Sequence, residues 1–202
     1  MLDLSSPEAA LDAIGVTAAE LAATPQGAAF HAEGDVWIHT RMAVDALLAS
    51  PAYAAASPAE RSLLHAAVLF HDIGKPSTTR TEPDGAITSR GHSSRGERIA
   101  RVALWRAGVP FAYREQLCSL IRHHQIPFFA IERSTTDAAA LVARMSLVTR
   151  NRWLAAVADA DGRGRRCLDP ADHRRRGVVH EGDPHQQPLF IFFFIFIPRG
   201  AN

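Results

Sequence analysis

Lysine is almost missing from this chain. Its 202 residues hold 22 basic side chains, and only Lys75 is a lysine. The other 21 are arginines, and with 36 alanines they suggest a GC-rich coding genome. Arginine and lysine differ in shape and hydration, so the lone lysine draws attention. Cysteine is scarce too. Cys118 and Cys167 are the only two, too few for a disulfide scaffold or a four-cysteine zinc site, and they fit a reducing, cytoplasmic setting. A charge excess is also lacking. The formal net charge is +1, so no global field steers the chain to nucleic acid or membrane. No apolar run reaches the roughly 18–20 residues that cross a bilayer. The N-terminal MLDLSSPEAA is acidic and has no basic n-region, so it does not read as a signal peptide.

What is present is ordinary globular material. Apolar residues make up 47% and charged residues 21%, unlike a disordered chain. The length fits one domain, or one domain and a tail. Residues 1–162 read as successive helices. Ser57-Pro58-Ala59-Glu60 is a capping box with proline at the first helical position. Behind it, Leu64, Ala67, Val68 and His71 recur at helical spacing, which puts His71 on an apolar face. Gly74 and Pro76 stop that helix. Residues 35–49 form an amphipathic helix with Asp35 as cap. Ser94-x-x-Glu97 opens another helix, to about Arg106. A further stripe holds Leu117, Leu120, Ile121 and His124 and ends before Pro127. Residues 137–148 and 150–161 supply two more helices. Residues 79–92 are loop, with a short hairpin around Asp84-Gly85. With no strand long enough for a sheet, the expected fold class is an all-α helical bundle.

From about Arg163 the character changes. The stretch is polar and rich in Arg, His and Pro, and then residues 189–197 read LFIFFFIFI, which holds five of the ten phenylalanines. High β propensity without charge or proline marks an aggregation-prone segment. Two readings stand side by side. Residues 168–202 are either a non-native tail, from a frameshifted or truncated gene, or a C-terminal strand or partner-docking segment.

Histidine and aspartate carry the chemical signal. His39 shares a face with Val36, Ala43 and Ala46. His71-Asp72 ends a buried helix, and His92 precedes one. His123 and His124 sit near a helix end, and Asp159 and Asp161 in the last helix. Any one of these alone would most simply be a satisfied core residue. Several ionisable groups on inner faces are costly unless paired or ligated, and imidazole with carboxylate suits Zn, Mn, Fe, Ni or Co.

The ordered pattern resembles the HD superfamily of metal-dependent phosphohydrolases. GDVWIHT (34–40), LFHDIGKP (69–76), GHSSRG (91–96), IRHHQIP (121–127) and ADADGRG (158–164) carry the resemblance. It looks like the HD domains of bacterial CCA-adding tRNA nucleotidyltransferases and is also similar to the HD modules of HD-Pnk RNA end-healing enzymes. It divides the chain into an N-terminal helical extension (1–29), an HD domain (30–167) and the tail (168–202). It implies one metal on His39, His71, Asp72 and Asp159, and a second on Asp72, His92 and His123 or His124. Position in the family's pattern favours His123, helical phase favours His124. Asp159 is preferred to Asp161 because the segment resembles Asp-x-x-Gly-Arg.

The resemblance further implies one or two divalent ions (Mn, Ni, Co, Fe, Zn or Mg) and a metal-activated hydroxide acting on a phosphate ester, since such ions lower the pKa of bound water toward ~7. Asp72, Lys75 and Arg163 would be the catalytic side chains, the two cations meeting the phosphoryl charge. Arg95, at a helix start, is a weaker candidate. The expected substrate is a 2′-phosphate or 2′,3′-cyclic phosphate on an RNA end or nucleotide. The alternatives are free (deoxy)nucleotides, or a non-catalytic tRNA-holding module. No membrane partner is expected. No kinase module is expected either, because Gly74-Lys75-Pro76 lacks the P-loop glycine and hydroxyl: Leu69 and Pro76 stand there. His31 and His65 read as structural or exposed. His173, His180 and His185 lie where no scaffold is evident. Arg165-Arg166 and Arg174-Arg175-Arg176 are either phosphate contacts or solvated charge.

Overall fold

A computed structural model describes Leu4, residues 6–131 and residues 134–166. The chain is all-α within them, apart from one short hairpin. Side-chain caps set most helix starts, each relieving N–H groups that a first turn cannot satisfy. Ser6 caps α1 (Pro7–Ala13) and Thr17 forms a capping box on α2 (Ala18–Ala22). Asp35 accepts from the Ile38 N–H and starts α3 (Val36–Leu48), as expected. Ser50 caps α4 (Pro51–Ala54), and the Ser57–Glu60 box opens α5 (Pro58–Phe70). Proline stands at the start of α1, α4 and α5, where its missing N–H costs nothing.

Next come α6 (Lys75–Thr78) and the expected hairpin, in which β1 (Arg80–Thr81) pairs antiparallel with β2 (Ile87–Thr88). Gly85 at the tip has φ +83°, a conformation open to glycine. Then follow α7 (His92–Arg106), α8 (Phe111–His123), α9 (Ile126–Ile131), α10 (Thr135–Ser146) and α11 (Asn151–Arg163). One expected start moves. α7 begins at His92 rather than after Ser94, because left-handed Gly91 turns the chain in just before it. Glu97, the expected capping partner, bonds Arg101 instead.

The core is packed from α3, α5, α8 and α11, with Leu47, Leu64, Phe70, Leu120 and Val157 fully buried. Each such side chain contributes about 1.5–3 kcal/mol relative to exposure. Leu11 of α1 and Leu21 of α2 are buried in the same cluster. Among the described residues no helix is long and apolar enough to cross a membrane. The expectations for residues 168–202 lie outside the described residues.

Candidate metal centre

Four imidazoles converge because four elements present them inward. His39 comes from the middle of α3, His71 from the end of α5, His92 from the first position of α7, and His124 from just beyond α8. All four are buried, as is Asp72. His71 Nδ1–H donates to the Val68 carbonyl at 2.7 Å, His92 Nδ1–H to Ser89 at 2.8 Å, and His124 Nδ1–H to Ile121 at 2.9 Å. His39 Nδ1–H donates to the Gly164 carbonyl at 3.3 Å, with Glu33 Oε1 3.0 Å from the same nitrogen. A carbonyl only accepts, so in each ring the proton sits on Nδ1 and Nε2 is left to face the cluster.

Those Nε2 atoms face one another. His92 and His124 approach to 3.3 Å, and His39 and His71 also to 3.3 Å. Asp72 stands between the pairs. Its Oδ1 is 3.2 Å from His92 Nε2 and 4.0 Å from His124 Nε2, while Oδ2 is 3.2 Å from His71 Nε2 and 3.8 Å from His39 Nε2. Asp161 Oδ1 closes the His39–His71 pair, 3.2 Å from His39 Nε2 and 4.0 Å from His71 Nε2. Asp72 Oδ2 is buried without a well-directed hydrogen bond, although Lys75 Nζ lies 2.7 Å away. Facing nitrogen lone pairs beside an under-satisfied carboxylate oxygen are satisfied by a cation between them. The donor set, imidazole with carboxylate, suits a divalent transition ion. His39, His71 and Asp72 form one group able to hold an ion, and Asp72, His92 and His124 another.

The charges agree with this geometry. Burial opposes ionisation of Asp72, yet the neighbouring imidazoles of His71 and His92 and the charge of Lys75 hold its carboxyl well below the usual range. Burial likewise opposes ionisation of Asp161, and Arg165 and His39 outweigh it. Burial first, then His71 and His92, push His124 down to about 3, so its ring is neutral. His39 resists its own burial because Asp161 and Glu33 flank it, and its pKa is raised.

Gly74 lets the elements close up. A Cβ there would lie 2.1 Å from the His92 carbonyl oxygen and 2.6 Å from the Gly96 nitrogen. Without a side chain, the turn after Asp72 lies directly against the first turn of α7. Lys75, 6% exposed, donates to Gln26 Oε1 at 2.6 Å, so the α2–α3 connection also reaches the site.

The structure brings together His39, His71, Asp72, Lys75, His92 and His124. Four of the residues named from the sequence lie outside the cluster. Asp159 does not reach the cluster: it lies two residues round α11 from Asp161 and pairs with Arg163 at 3.0 Å. Asp161 takes that place because it continues the buried stripe of Leu154 and Ala158. Arg163 also turns away from the centre, its side chain 38% exposed. His123 faces outward, its Nδ1–H donating to the Ser119 carbonyl at 2.9 Å, whereas His124 continues the buried Leu117–Leu120–Ile121 stripe. Arg95 reaches Ser77 rather than the cluster.

Some contributors were not anticipated as site residues. Arg165, expected as a phosphate contact or a solvated charge, makes a bidentate pair with Asp161 at 2.9 and 2.7 Å and lies over the Phe128 ring. Glu33 contacts His39 and also accepts from His31 at 2.7 Å. Gln26 holds Lys75. Only Arg165 carried a sequence signal, its i+4 spacing from Asp161.

Comparison with known proteins adds an independent finding. The HD domain profile matches residues 36–160. A CC-adding tRNA nucleotidyltransferase of Thermus thermophilus is 41% identical over 59 residues, 29% of this chain and 14% of its own length. A multifunctional CCA protein of Halorhodospira halophila is 34% identical over 148 residues, 70% of this chain and 33% of its own. The chain thus spans a third or less of the length of these relatives.

Proposed function

This chain belongs to the HD domain family, and from that premise we propose that it is a metal-dependent phosphohydrolase acting on a 2′-phosphate or 2′,3′-cyclic phosphate of an RNA end or nucleotide. The observation that carries the reading is Asp72, whose two oxygens face two separate imidazole pairs. In this reading His39, His71, Asp72 and Asp161 hold one divalent ion, and Asp72, His92 and His124 a second. Bound there, such ions make water nucleophilic near neutral pH and polarise phosphoryl oxygens.

The protein's own groups do the rest. Backbone carbonyls keep the protons of His71, His92 and His124 on Nδ1, so Nε2 needs no reorganisation. Lys75 Nζ, held between Asp72 and Gln26, exchanges its Gln26 contact for a phosphoryl oxygen and meets the charge that develops there. Burial of the cluster lowers the local dielectric and strengthens that contact. The similarity to a tRNA nucleotidyltransferase favours an RNA end over a free nucleotide.

The test is phosphate release from a ribonucleoside 2′-monophosphate, and ring opening of a 2′,3′-cyclic phosphate, by the full chain with Mn²⁺, Ni²⁺ or Co²⁺. Metal-dependent turnover that disappears in Asp72→Ala supports the reading. A folded, metal-loaded protein inert toward both esters would exclude this substrate class.

A further inference from the structure

The outer face of α7 sets arginines and a large exposed aromatic side by side. At 3.6 residues per turn, Arg95, Arg98, Val102, Trp105 and Arg106 fall in one arc of about 100°. All five are exposed, Trp105 to 66%. Several arginines elsewhere are paired with carboxylates: Arg101 with Glu97 and Glu115, Arg152 with Glu60, Arg163 with Asp159 and Arg165 with Asp161. On this face Arg95 has only the Ser77 hydroxyl, at 3.2 Å, and Arg98 and Arg106 have no carboxylate partner among the described residues. Glu97 and Glu115, acids of α7 and α8, are already taken up by Arg101. Just across the turn into α8, Phe111 is 70% exposed. Large aromatics left in water are unusual, and here two flank one turn, Trp105 next in sequence to Arg106 and Phe111 under the Arg114 guanidinium at 5.5 Å.

The stripe is continuous with the candidate centre. α7 begins at His92, inside the cluster, and Arg95 touches Ser77 of α6, whose first residue is Lys75. From Arg95 to Arg106 the helix rises about 16 Å, so positive charge leads away from the buried site and ends at the two aromatic rings. A partner that matches this order needs repeated anionic groups along a flexible strand and flat apolar faces between them. A single-stranded polynucleotide has both, phosphates for the guanidinium groups and bases to stack on the rings. Folded acidic proteins and anionic bilayers offer the charge without the flat faces.

We propose that the Arg95–Arg98–Trp105–Arg106 face of α7, with Phe111, is the track for a single-stranded polynucleotide whose phosphorylated end enters the histidine–aspartate centre. The placement of that end rests on the function proposed above, whereas the track itself does not.

The experiment is fluorescence anisotropy of a labelled single-stranded oligoribonucleotide with the full chain, across a series of salt concentrations and without added metal. Each phosphate contact contributes about 0.7 to the salt slope of single-strand binding. The double variant Arg98→Ala/Arg106→Ala should therefore flatten the slope by about 1.4. Trp105→Ala should weaken binding about tenfold with little change in slope, since stacking is not ionic. All variants should hydrolyse a ribonucleoside 2′-monophosphate at the unaltered rate. Equal affinity and slope in the double variant would overturn the track, and so would binding of phosphatidylserine vesicles but not of RNA. The two proposals separate cleanly. Slope-dependent RNA binding without hydrolysis leaves the track and removes the function, and mononucleotide hydrolysis without RNA binding does the reverse.

Discussion

Glu33 Oε1 lies 3.0 Å from His39 Nδ1 and 2.7 Å from His31 Nδ1, with the Glu33 side chain 1% exposed. One buried carboxylate thus faces the outer nitrogen of an imidazole whose inner nitrogen faces Asp161 and His71. Carboxylates in this position fix ring orientation and raise ligand basicity. Glu33→Gln should reduce metal affinity by about 10–100-fold while far-ultraviolet circular dichroism stays the same. Calorimetric titration with Mn²⁺ or Ni²⁺ measures the first, and the ¹⁵N chemical shift of His39 Nδ1 should move as its charged acceptor is lost. Unaltered affinity and shifts would remove Glu33 from the centre.

Asp161 and Asp159 provide a paired test on one helix. Asp161→Asn should lower metal affinity at least as much as the about 10–100-fold lost with a supporting residue. Asp159→Asn, which disturbs only the exposed pair with Arg163, should bind metal normally and lose less than about 1 kcal/mol of stability. Equal effects of the two substitutions would contradict the placement of Asp161.

Glu60 gives a pH prediction away from the metal centre. The Ser57 backbone N–H leads the groups that lower its carboxyl from 4.5 to about 2, with the Ser57 hydroxyl, Trp153 and Arg152 adding to it against the opposing effect of burial. A carboxyl depressed by folding stabilises the native state above its unfolded value, and that contribution fades as pH falls through the folded one. Urea unfolding should therefore show a gap between the unsubstituted protein and Glu60→Gln that is full above about pH 4.5 and closes toward about pH 2. A gap independent of pH would mean that the Glu60 charge contributes nothing.

Gly74→Ala should be costly for its size. The added methyl group meets backbone atoms of His92 and Gly96, which cannot swing aside as a side chain can. A loss of about 3 kcal/mol is expected, at the upper end of overpacking effects, with weaker metal binding as α7 is pushed from Asp72. Chemical denaturation and metal titration measure the two effects. A variant as stable as the parent would show that the turn and α7 are less tightly apposed.

The helices were legible because their signals are local. Ser57, Asp35 and the Leu117–His124 stripe each act within a turn or two. The same periodicity favours His124, the ring that the structure buries, whereas position in the family's pattern favours His123. It also favours Asp161 over Asp159, since Leu154, Ala158 and Asp161 share a face, whereas the likeness to Asp-x-x-Gly-Arg points to Asp159. Glu33 and Gln26 were not legible, because they reach the centre from connections whose path only tertiary packing sets. The start of α7 is not legible for a related reason: a left-handed glycine has no periodic signature.

The carbonyls that anchor the rings come from different distances along the chain. His71, His92 and His124 each use the carbonyl three residues upstream, within their own segment. His39 relies on Gly164, 125 positions away, at the far end of α11. Three rings are therefore oriented as soon as their own segments take shape, at little further cost in chain entropy. The fourth waits for the end of the described chain to dock. Loosening that last helix takes Gly164 and Asp161 from His39 together and leaves Glu33 alone on the ring, while the other three keep the carbonyls of their own segments.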